Sequence, residues 1–199
     1  MSNRLFAVIG APGCGKGTLI KSLFGENSHV VPMSGMLINL RTHRDLGPIV
    51  TETMDSGALV PSEIVNKLFL KHWNEIYSEK KDIILDGVVR TEIQAEFVAS
   101  LVSNEKNPGC VPREFHILHI DVPLKECQRR MIGRGRSDDS SQEIINRRFV
   151  YWEAFHRNTI ACLRHHGFHY IGVDGNQTPE DVHKEAVEKI ASFNSLSLK

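Results

Sequence analysis

The segment Gly10-Ala-Pro-Gly-Cys-Gly-Lys-Gly-Thr18 combines closely spaced glycines with one lysine and one threonine. Glycines let a backbone curl so that several N–H groups converge on one anion, and the start of a following helix adds positive charge. Lys16 adds a mobile cation for the β- and γ-phosphates of a nucleotide. A Ser or Thr directly follows the lysine in the strict pattern, whereas Gly17 intervenes before Thr18 here. The segment predicts a phosphate cradle; a glycine-rich turn without a ligand is the alternative.

Five arginines in the rest of the chain suit the binding of phosphate groups. Arginine offers planar, bidentate donors that match phosphate better than lysine does. Two of the five are four residues apart and would share a helix face. Taken singly, each could equally be a solvated surface residue. The five are Arg90, Arg130, Arg134, Arg136 and Arg148.

Three aspartates could assist phosphate chemistry. Asp86 ends an apolar segment, where a carboxylate can orient Mg²⁺ or its water ligands beside phosphates. A helix N-cap or a loop acid is the alternative for Asp86. Asp138 and Asp139 precede a helical pattern, so they could cap that helix or steady nearby arginines, and both interpretations stay open.

Cysteines and histidines give no clear metal motif. The four cysteines are far apart and form no C-x-x-C pair, so neither a zinc ribbon nor a disulfide framework is predicted. Three histidines have helical spacing in pairs, but Gly167 interrupts any shared face, and we expect a solvated helix end there rather than a metal site. The residues are Cys14, Cys110, Cys127 and Cys162, and His165, His166 and His169.

The elements that must position these residues alternate along the chain. Continuous apolar runs are typical of parallel strands covered on both faces, and amphipathic helical patterns lie between them. This alternation predicts a parallel sheet wrapped by helices. The predicted strands are 5–9, 29–31, 83–85, 115–120 and 168–173. The predicted helices are 16–24, 62–77, 91–103, 124–132, 142–164 and 179–193, with two short ones at 35–43 and 46–56 inside an insertion.

Composition and charge exclude several classes of protein. The chain has 199 residues, 41% of them hydrophobic, and Lys+Arg and Asp+Glu are both 24. These values are typical of globular proteins, and no excess charge points to nucleic acid or anionic membranes. No apolar run approaches the roughly 20 residues that span a bilayer, and the N-terminus shows no cleavable signal. We therefore expect a cytoplasmic protein with neither nucleic-acid nor membrane partners.

The phosphate cradle, of the form G-x-P-G-x-G-K-G-T, resembles that of the adenylate kinase family of nucleoside monophosphate kinases. Further segments resemble that family in the same order along nearly the whole chain. They are Ser34-Gly35 with Leu37, Met54-Asp-Ser-Gly-Ala-Leu-Val-Pro61, Leu85-Asp-Gly-Val-Val-Arg-Thr91 with Gln94, Asp121-Val-Pro123, Arg130-Met-Ile-Gly-Arg134, Gly135-Arg-Ser-Asp-Asp139, Arg147-Arg148 and Val173-Asp-Gly175.

The resemblance implies an α/β P-loop fold of three layers, with a five-stranded parallel sheet, a small helical acceptor lobe and a short lid. The whole chain, 1–199, would be one kinase domain. Its core would comprise 1–32, 61–132 and 141–199, its NMP-binding lobe 33–60 and its lid 133–140. The lid is too short for the zinc-carrying form of some relatives and contains no Cys or His, so no zinc is expected.

The implied reaction moves the γ-phosphoryl group of ATP, with Mg²⁺, to a nucleoside monophosphate, and Gln94 favours AMP. Arg90 would hold the acceptor phosphate, and Arg130 would stack on the donor adenine. The implied catalytic residues are Lys16, Arg90, Arg134, Arg136 and Arg148, and Asp86 would hold Mg²⁺ through water. The implied ATP-binding residues are Gly13, Cys14, Gly15, Lys16, Gly17, Thr18, Arg130, Arg134 and Gln177. The implied NMP-binding residues are Ser34, Asn39, Ala58, Leu59, Val60, Gly87, Arg90, Gln94, Arg136 and Arg148.

The sequence departs from the family pattern at the acceptor end. Asn39 stands where an acceptor-binding arginine is usual, and Arg41 or Arg44 could substitute from another turn. The loss of one such arginine would weaken acceptor binding by roughly 1.5–3 kcal/mol. Val88-Val89 replaces Phe-Pro, so we expect trans peptide bonds before Arg90 and a displaced arginine.

Two alternatives to AMP phosphorylation follow from these departures. One is a P-loop kinase for another acceptor, namely UMP, CMP, GMP or a small metabolite. The other is a regulatory module that binds nucleotides without turning them over. In each case the expected partners are small-molecule nucleotides and the expected state is a monomer.

Overall fold

The structure is a computed structural model that describes residues 3–25, 28–103, 113–134 and 141–196, and of residues 134 and 194–196 only the backbone. Its strands are β1 (Arg4–Gly10), β2 (Ser28–Pro32), β3 (Asp82–Asp86), β4 (Glu114–Asp121) and β5 (His169–Asp174). Its helices are α1 (Lys16–Leu23), α2 (Met33–Leu40), α3 (Gly47–Asp55), α4 (Ser62–Ile76), α5 (Glu92–Val102), α6 (Leu124–Arg134), α7 (Gln142–His165) and α8 (Pro179–Leu196).

The five strands form one parallel sheet in the order β2-β3-β1-β4-β5. This confirms the predicted α/β fold and each predicted strand to within two residues. In a parallel sheet the carboxyl ends of all strands meet at one edge, where ligands of this fold class bind. The loops that follow β1 and β3 are neighbours at that edge because these two strands pair directly.

The strand β1 shows why the sheet is buried on both faces. Successive side chains of a strand point to opposite faces. Leu5, Ala7 and Ile9 therefore pack into one apolar cluster, and Phe6 and Val8 pack into the other. Because both clusters are covered by helices, the strand has no polar face, which explains its continuous apolar run.

Helices cover the two faces to make three layers. The first cluster contains side chains from α4 and α5 and the C-terminal part of α7, including the fully buried Trp73 and Leu163. The second contains side chains from α1, α6 and α8 and the N-terminal part of α7. The helix α7 has 24 residues and is about 36 Å long, which lets it contribute to both clusters.

Residues 33–60 contain the two short helices α2 and α3 and no strand. The helix α2 begins at Met33, directly after β2, and closes with a bond from the Arg41 N–H to the Ile38 carbonyl, so it lies about two residues earlier than predicted. Val50 of α3 and Leu37 of α2 are buried against the first cluster. This insertion is thus anchored on the core at the side of β2 and β3.

Among the described helices, none combines the length and the apolar character needed to cross a bilayer.

Candidate active site

The phosphate cradle joins β1 to α1. Gly13 and Gly15 have φ angles of +84° and +101°, a region that L-residues with a side chain rarely adopt. The Cys14 N–H donates to the Ala11 carbonyl at 3.1 Å, which closes the turn. The Lys16 ammonium folds back over it, 2.6 Å from the carbonyl oxygen of Gly10. The predicted loop is therefore formed, and the ammonium group of its lysine is hydrogen-bonded to main-chain oxygens.

The cradle packs directly against α6 through Gly13. A Cβ atom built on Gly13 would overlap the main-chain oxygen of Cys127 and lie 2.8 Å from Cγ of Met131. Real Cβ atoms essentially never come within 3.0 Å of other heavy atoms. Only glycine lets the loop approach α6 this closely.

The Arg130 guanidinium bridges the cradle and the loop after β5. Its Nε donates to Glu126 at 2.7 Å, and its two Nη atoms lie 3.4 Å from the Cys14 oxygen and 3.1 Å from the Gly175 oxygen. Hydrogen bonds from Arg129 and Arg130 lower the pKa of Glu126 to about 2, so this carboxylate is ionised at every physiological pH. The planar guanidinium is thereby held at one wall of the cradle.

A second polar group lies at the end of β3. The Arg90 side chain donates to the Ser34 hydroxyl at 3.1 Å and to the Gly87 carbonyl at 3.2 Å. The Arg90 main-chain N–H donates to Oε1 of Gln94 at 2.8 Å. Gln94 is only 2% exposed, so this bond fixes its carboxamide. Ser34 of α2 and three predicted residues of the stretch 87–94 therefore meet at one point.

The start of α5 holds this second group in place. Thr91 is the N-cap of α5 and accepts a hydrogen bond from the Gln94 N–H at 3.3 Å. Its hydroxyl also lies 3.3 Å from that of Ser62 at the start of α4. The peptide bonds of the described residues are all trans, as expected for the Val88-Val89 stretch. Arg90 nevertheless lies beside Ser34, without a proline to shape the turn.

Asp86 is the last residue of β3, directly before the second polar group. In the sheet register it is opposite Val8 of β1 and Pro32 of β2. Its side chain is partly exposed at the edge where the cradle opens. The register therefore places Asp86 at the end of β3, next to the strand that leads into the cradle.

The insertion contacts the first turn of α7. A Cβ atom on Gly57 would lie 2.8 Å from the main-chain oxygen of Ile144. Arg148 follows Ile144 by four residues and therefore lies on the same face of α7. Its side chain is half-buried. The insertion and the segment that carries Arg148 thus face each other.

Other predicted nucleotide-binding residues have less specific surroundings. Ala58 and Leu59 are half-buried and Val60 is buried, all in the segment that leads into α4. The Gln177 amide donates to the Asp174 carbonyl at 3.0 Å and to Glu185 at 2.6 Å, so it is engaged with α8 rather than with the cradle.

Asn39 and the two arginines that follow it, Arg41 and Arg44, have different surroundings. Asn39 is exposed on α2, five residues after Ser34 and therefore about 140° around the helix axis from it. Arg41 is bound to Asp55 at 2.7 Å, which ties the end of α2 to the end of α3. Arg44 is exposed in the loop between these helices.

Several predicted residues lie outside the described part of the chain. These are the side chain of Arg134, and Arg136, Asp138 and Asp139.

Comparison with known proteins agrees with this geometry. A family model described as adenylate kinase matches residues 8–168. An adenylate kinase of Leuconostoc mesenteroides is 30% identical over 189 residues, which cover 94% of this chain and 97% of that protein. An adenylate kinase of Mycobacteroides abscessus is 36% identical over 151 residues, 72% of this chain and 77% of that protein.

The chain belongs to the adenylate kinase family. Membership confirms the predicted class of enzyme, a nucleoside monophosphate kinase, and the predicted ATP-dependent phosphoryl transfer to AMP. A different acceptor and a regulatory module without turnover are not favoured. Members of this family bind nucleotides, as predicted for the partners of this chain.

One residue of the candidate site was not predicted from the sequence. Glu126 orients Arg130 from one helical turn earlier, at a spacing of four residues. That spacing is itself a recognisable signal for an ion pair on a helix. The signal was ambiguous because Arg129 is bound to the same carboxylate. The sequence does not indicate which of the two arginines faces the cradle.

Proposed function

We propose that the protein transfers the γ-phosphoryl group of Mg²⁺-bound ATP to AMP above the carboxyl ends of β1 and β3. The main support is the group formed by Arg90, Gln94 and Ser34. It lies at the end of the strand next to the one that leads into the cradle, and neighbouring strands are about 4.8 Å apart. Two nucleotides bound at these two points would meet phosphate to phosphate.

On the donor side, the main-chain N–H groups between Gly13 and Thr18 would bind the ATP phosphates. Lys16 would exchange its bonds to the Gly10 and Ala11 carbonyls for bonds to phosphate oxygens, which are stronger because the acceptor is charged. The guanidinium of Arg130 is a flat surface on which adenine can stack. We assign Gln177 a contact with the donor nucleotide only after its bond to Glu185 is exchanged.

On the acceptor side, Arg90 would bind the AMP phosphate and exchange its bond to Ser34 for one to phosphate. The Gln94 carboxamide accepts a hydrogen bond with its oxygen, which leaves its NH₂ group to donate to an acceptor nitrogen of adenine. Ala58, Leu59 and Val60 would line the base. Phosphate binding and base recognition are thereby coupled through one residue. The side chain of Arg90 would bind the phosphate, and its main-chain N–H orients the Gln94 carboxamide that would bind the base.

In the transfer step, an oxygen of the AMP phosphate attacks the γ-phosphorus and the bond to the β–γ bridging oxygen breaks, which gives two molecules of ADP. The AMP phosphate has a second pKa of about 6 and is largely ionised at neutral pH, so no side chain has to remove a proton. Catalysis is then a matter of positioning and of charge stabilisation on the transferred group. We assign that role to Lys16, Arg90, Arg134, Arg136 and Arg148.

The donor set at the cradle suits Mg²⁺, which takes oxygen ligands and keeps several waters. Asp86 would hold the ion through water at the end of β3, next to the strand that leads into the cradle. An ion held there would supply positive charge that offsets the negative charge of the ATP phosphates.

A coupled assay with ATP, Mg²⁺ and equal concentrations of AMP, UMP, CMP or GMP tests the proposal, with Lys16→Ala as background. We expect AMP to be the preferred acceptor. Gln94→Leu should raise the KM for AMP about 10-fold, the scale of one to two lost hydrogen bonds, and leave the KM for ATP unchanged. Equal or better turnover of another monophosphate would refute AMP as the acceptor, and turnover no higher than in Lys16→Ala would refute a kinase.

We also retain a monomeric state and a cytoplasmic location as proposals that rest on the sequence. Sedimentation of the purified chain and fractionation of its source cells are the direct tests.

A further inference from the structure

Three potential metal ligands from two helices meet on the surface, away from the nucleotide site. The Nε2 atom of His166 lies 2.8 Å from Oε2 of Glu96, and Sγ of Cys162 lies 3.5 Å from the same oxygen. All three ligand atoms lie within 4.8 Å of one another. We propose that Glu96, Cys162 and His166, here called the α5–α7 triad, bind a transition-metal cation of the Zn²⁺ class.

The triad is held by packed helices. Cys162 and His166 are one turn apart at the end of α7, so their side chains share a face. Glu96 lies on α5, which packs against α7. Its neighbour Ala95 and the neighbour of Cys162, Leu163, are completely buried in the same apolar cluster. The core thus positions the backbone of all three ligands before any metal arrives.

The two distances to the Glu96 carboxylate can be compared with the edges of a coordination tetrahedron. With Zn–N and Zn–O bonds of about 2.1 Å and a Zn–S bond of about 2.3 Å, ligand atoms are about 3.4–3.6 Å apart along the edges of a tetrahedron. The distance between Cys162 and Glu96 already has this value. The His166 and Glu96 atoms would separate by about 0.6 Å as a metal replaces their hydrogen bond. The Glu96 side chain is exposed, so a change of its rotamer can supply this movement without disturbing the core.

The donor chemistry selects the kind of metal. A thiolate and an imidazole favour Zn²⁺ and related ions over Mg²⁺ and Ca²⁺, which prefer oxygen ligands. On binding, the Cys162 thiol releases its proton to solvent and the ion loses water, so thiolate and carboxylate together balance the +2 charge. A water completes the four ligands. The ion can enter from solvent because the Glu96 side chain is 58% exposed and that of His166 26% exposed.

The triad is separate from the proposed AMP site. Glu96 follows Gln94 by two residues, which turns its side chain about 200° around α5, and Gln94 is buried where Glu96 is exposed. The prediction of a solvated helix end at His165, His166 and His169 considered only residues near in sequence. The actual partner of His166 comes from 70 residues earlier in the chain.

The test uses the full chain, stripped with EDTA, exchanged into chelator-free buffer and kept reduced. Co²⁺ titration should give a sulfur-to-cobalt charge-transfer band in the near ultraviolet that saturates at one ion per chain and disappears when Zn²⁺ is added. Cys162→Ser should abolish the band, and Glu96→Gln should weaken Co²⁺ binding by about 10-fold or more. The matched controls Cys110→Ser, which removes a different thiol, and His165→Gln should keep it.

Absence of the band in the unmodified chain overturns the site, and so does its persistence in Cys162→Ser. A second measurement does not depend on the spectrum. At 100 times its Kd, Zn²⁺ should raise the Tm of the unmodified chain by about 5–10 °C, because it binds only the folded form. An equal rise in Cys162→Ser would show that the ion binds elsewhere and would also overturn the proposal.

Discussion

The contact between the cradle and α6 makes a graded prediction for three glycine substitutions. In Gly13→Ala, the new side chain meets two penalties: the left-handed backbone conformation at φ +84° and overlap with the main chain of Cys127. In Gly15→Ala only the first applies, because nothing lies within 4 Å of the new Cβ. In Gly133→Ala, on the exposed surface of α6, neither applies. The three variants therefore separate backbone strain from steric overlap.

The magnitudes follow from these penalties. A left-handed alanine costs about 1–2 kcal/mol. Overpacking against a neighbour that cannot move adds about 1–3 kcal/mol. We therefore expect Gly13→Ala to lower the free energy of unfolding by roughly 2–5 kcal/mol and Gly15→Ala by roughly 1–2 kcal/mol. Gly133→Ala should raise it by about 0.5–1 kcal/mol, since alanine is the better helix former.

Thermal unfolding measures these differences directly. For a protein of this size 1 kcal/mol corresponds to about 2–4 °C in Tm, so Gly13→Ala should melt roughly 4–20 °C lower than the unmodified chain. The kcat of the folded Gly13→Ala variant should also fall on the order of 100-fold, because a cradle displaced by about 1 Å misplaces the ATP phosphates. A Gly13→Ala variant as stable as Gly15→Ala would refute the close packing of the cradle on α6.

Three further predictions concern other contacts. Glu126→Gln removes the charge that orients Arg130. The KM for ATP should therefore rise roughly 2- to 5-fold in the coupled assay, while the KM for AMP stays constant. An unchanged KM for ATP would exclude a role of Glu126 in ATP binding. Gly57→Ala would place a Cβ 2.8 Å from the Ile144 carbonyl oxygen and strain the backbone at φ +77°, which displaces the adjacent residues 58–60 that we assign to the AMP base. The KM for AMP should therefore rise about 10-fold, and an equal rise for ATP would contradict the assignment. Burial lowers the pKa of His116 below 6.5, so the unfolded chain takes up a proton that the folded chain does not. The free energy of unfolding should therefore fall below about pH 6.5, with a contribution from His116 of up to about 1.4 kcal/mol per pH unit. Urea midpoints measured at pH 7.5 and 5.5 should show a smaller loss of stability in His116→Phe than in the unmodified chain. An equal loss in both would contradict an origin in His116.

The substitution of His116 by phenylalanine is a fair test because the ring has an aromatic environment. It stacks on Phe6 with ring centroids 5.0 Å apart and lies edge-on to Phe193. Among the described residues neither of its nitrogens has a hydrogen-bond partner, and Glu114 is 3.6 Å away. A phenyl ring therefore fits without leaving a polar group unsatisfied.

Local patterns account for what could be predicted at the donor end. The run from Leu5 to Ile9 is apolar at every position because a parallel strand is covered on both faces, and that requirement is visible in the sequence. The cradle directly after it depends on glycines and a lysine that are neighbours along the chain. Both features are short in range, so their residues identify them without knowledge of the fold.

The acceptor end shows where such patterns stop. No short-range pattern indicates that the Arg90 side chain donates to the Ser34 hydroxyl. These two residues are 56 positions apart and meet because β2 and β3 pair in parallel and end at the same edge. Arg41 is a second example. Its position near Asn39 in the sequence gave no indication that its side chain pairs with Asp55.

By itself, then, the sequence determined the alternation of strands and helices, the phosphate cradle and the kind of chemistry it serves, because these depend on residue types at short spacing. Only the tertiary structure decided which distant side chains touch. The approach of Gly13 to α6, the contact of Gly57 with α7, and the meeting of Glu96 with Cys162 and His166 all join segments separated by long stretches of chain. Their proximity is set by how helices pack on a common sheet, which depends on the shape of the whole core rather than on any one segment.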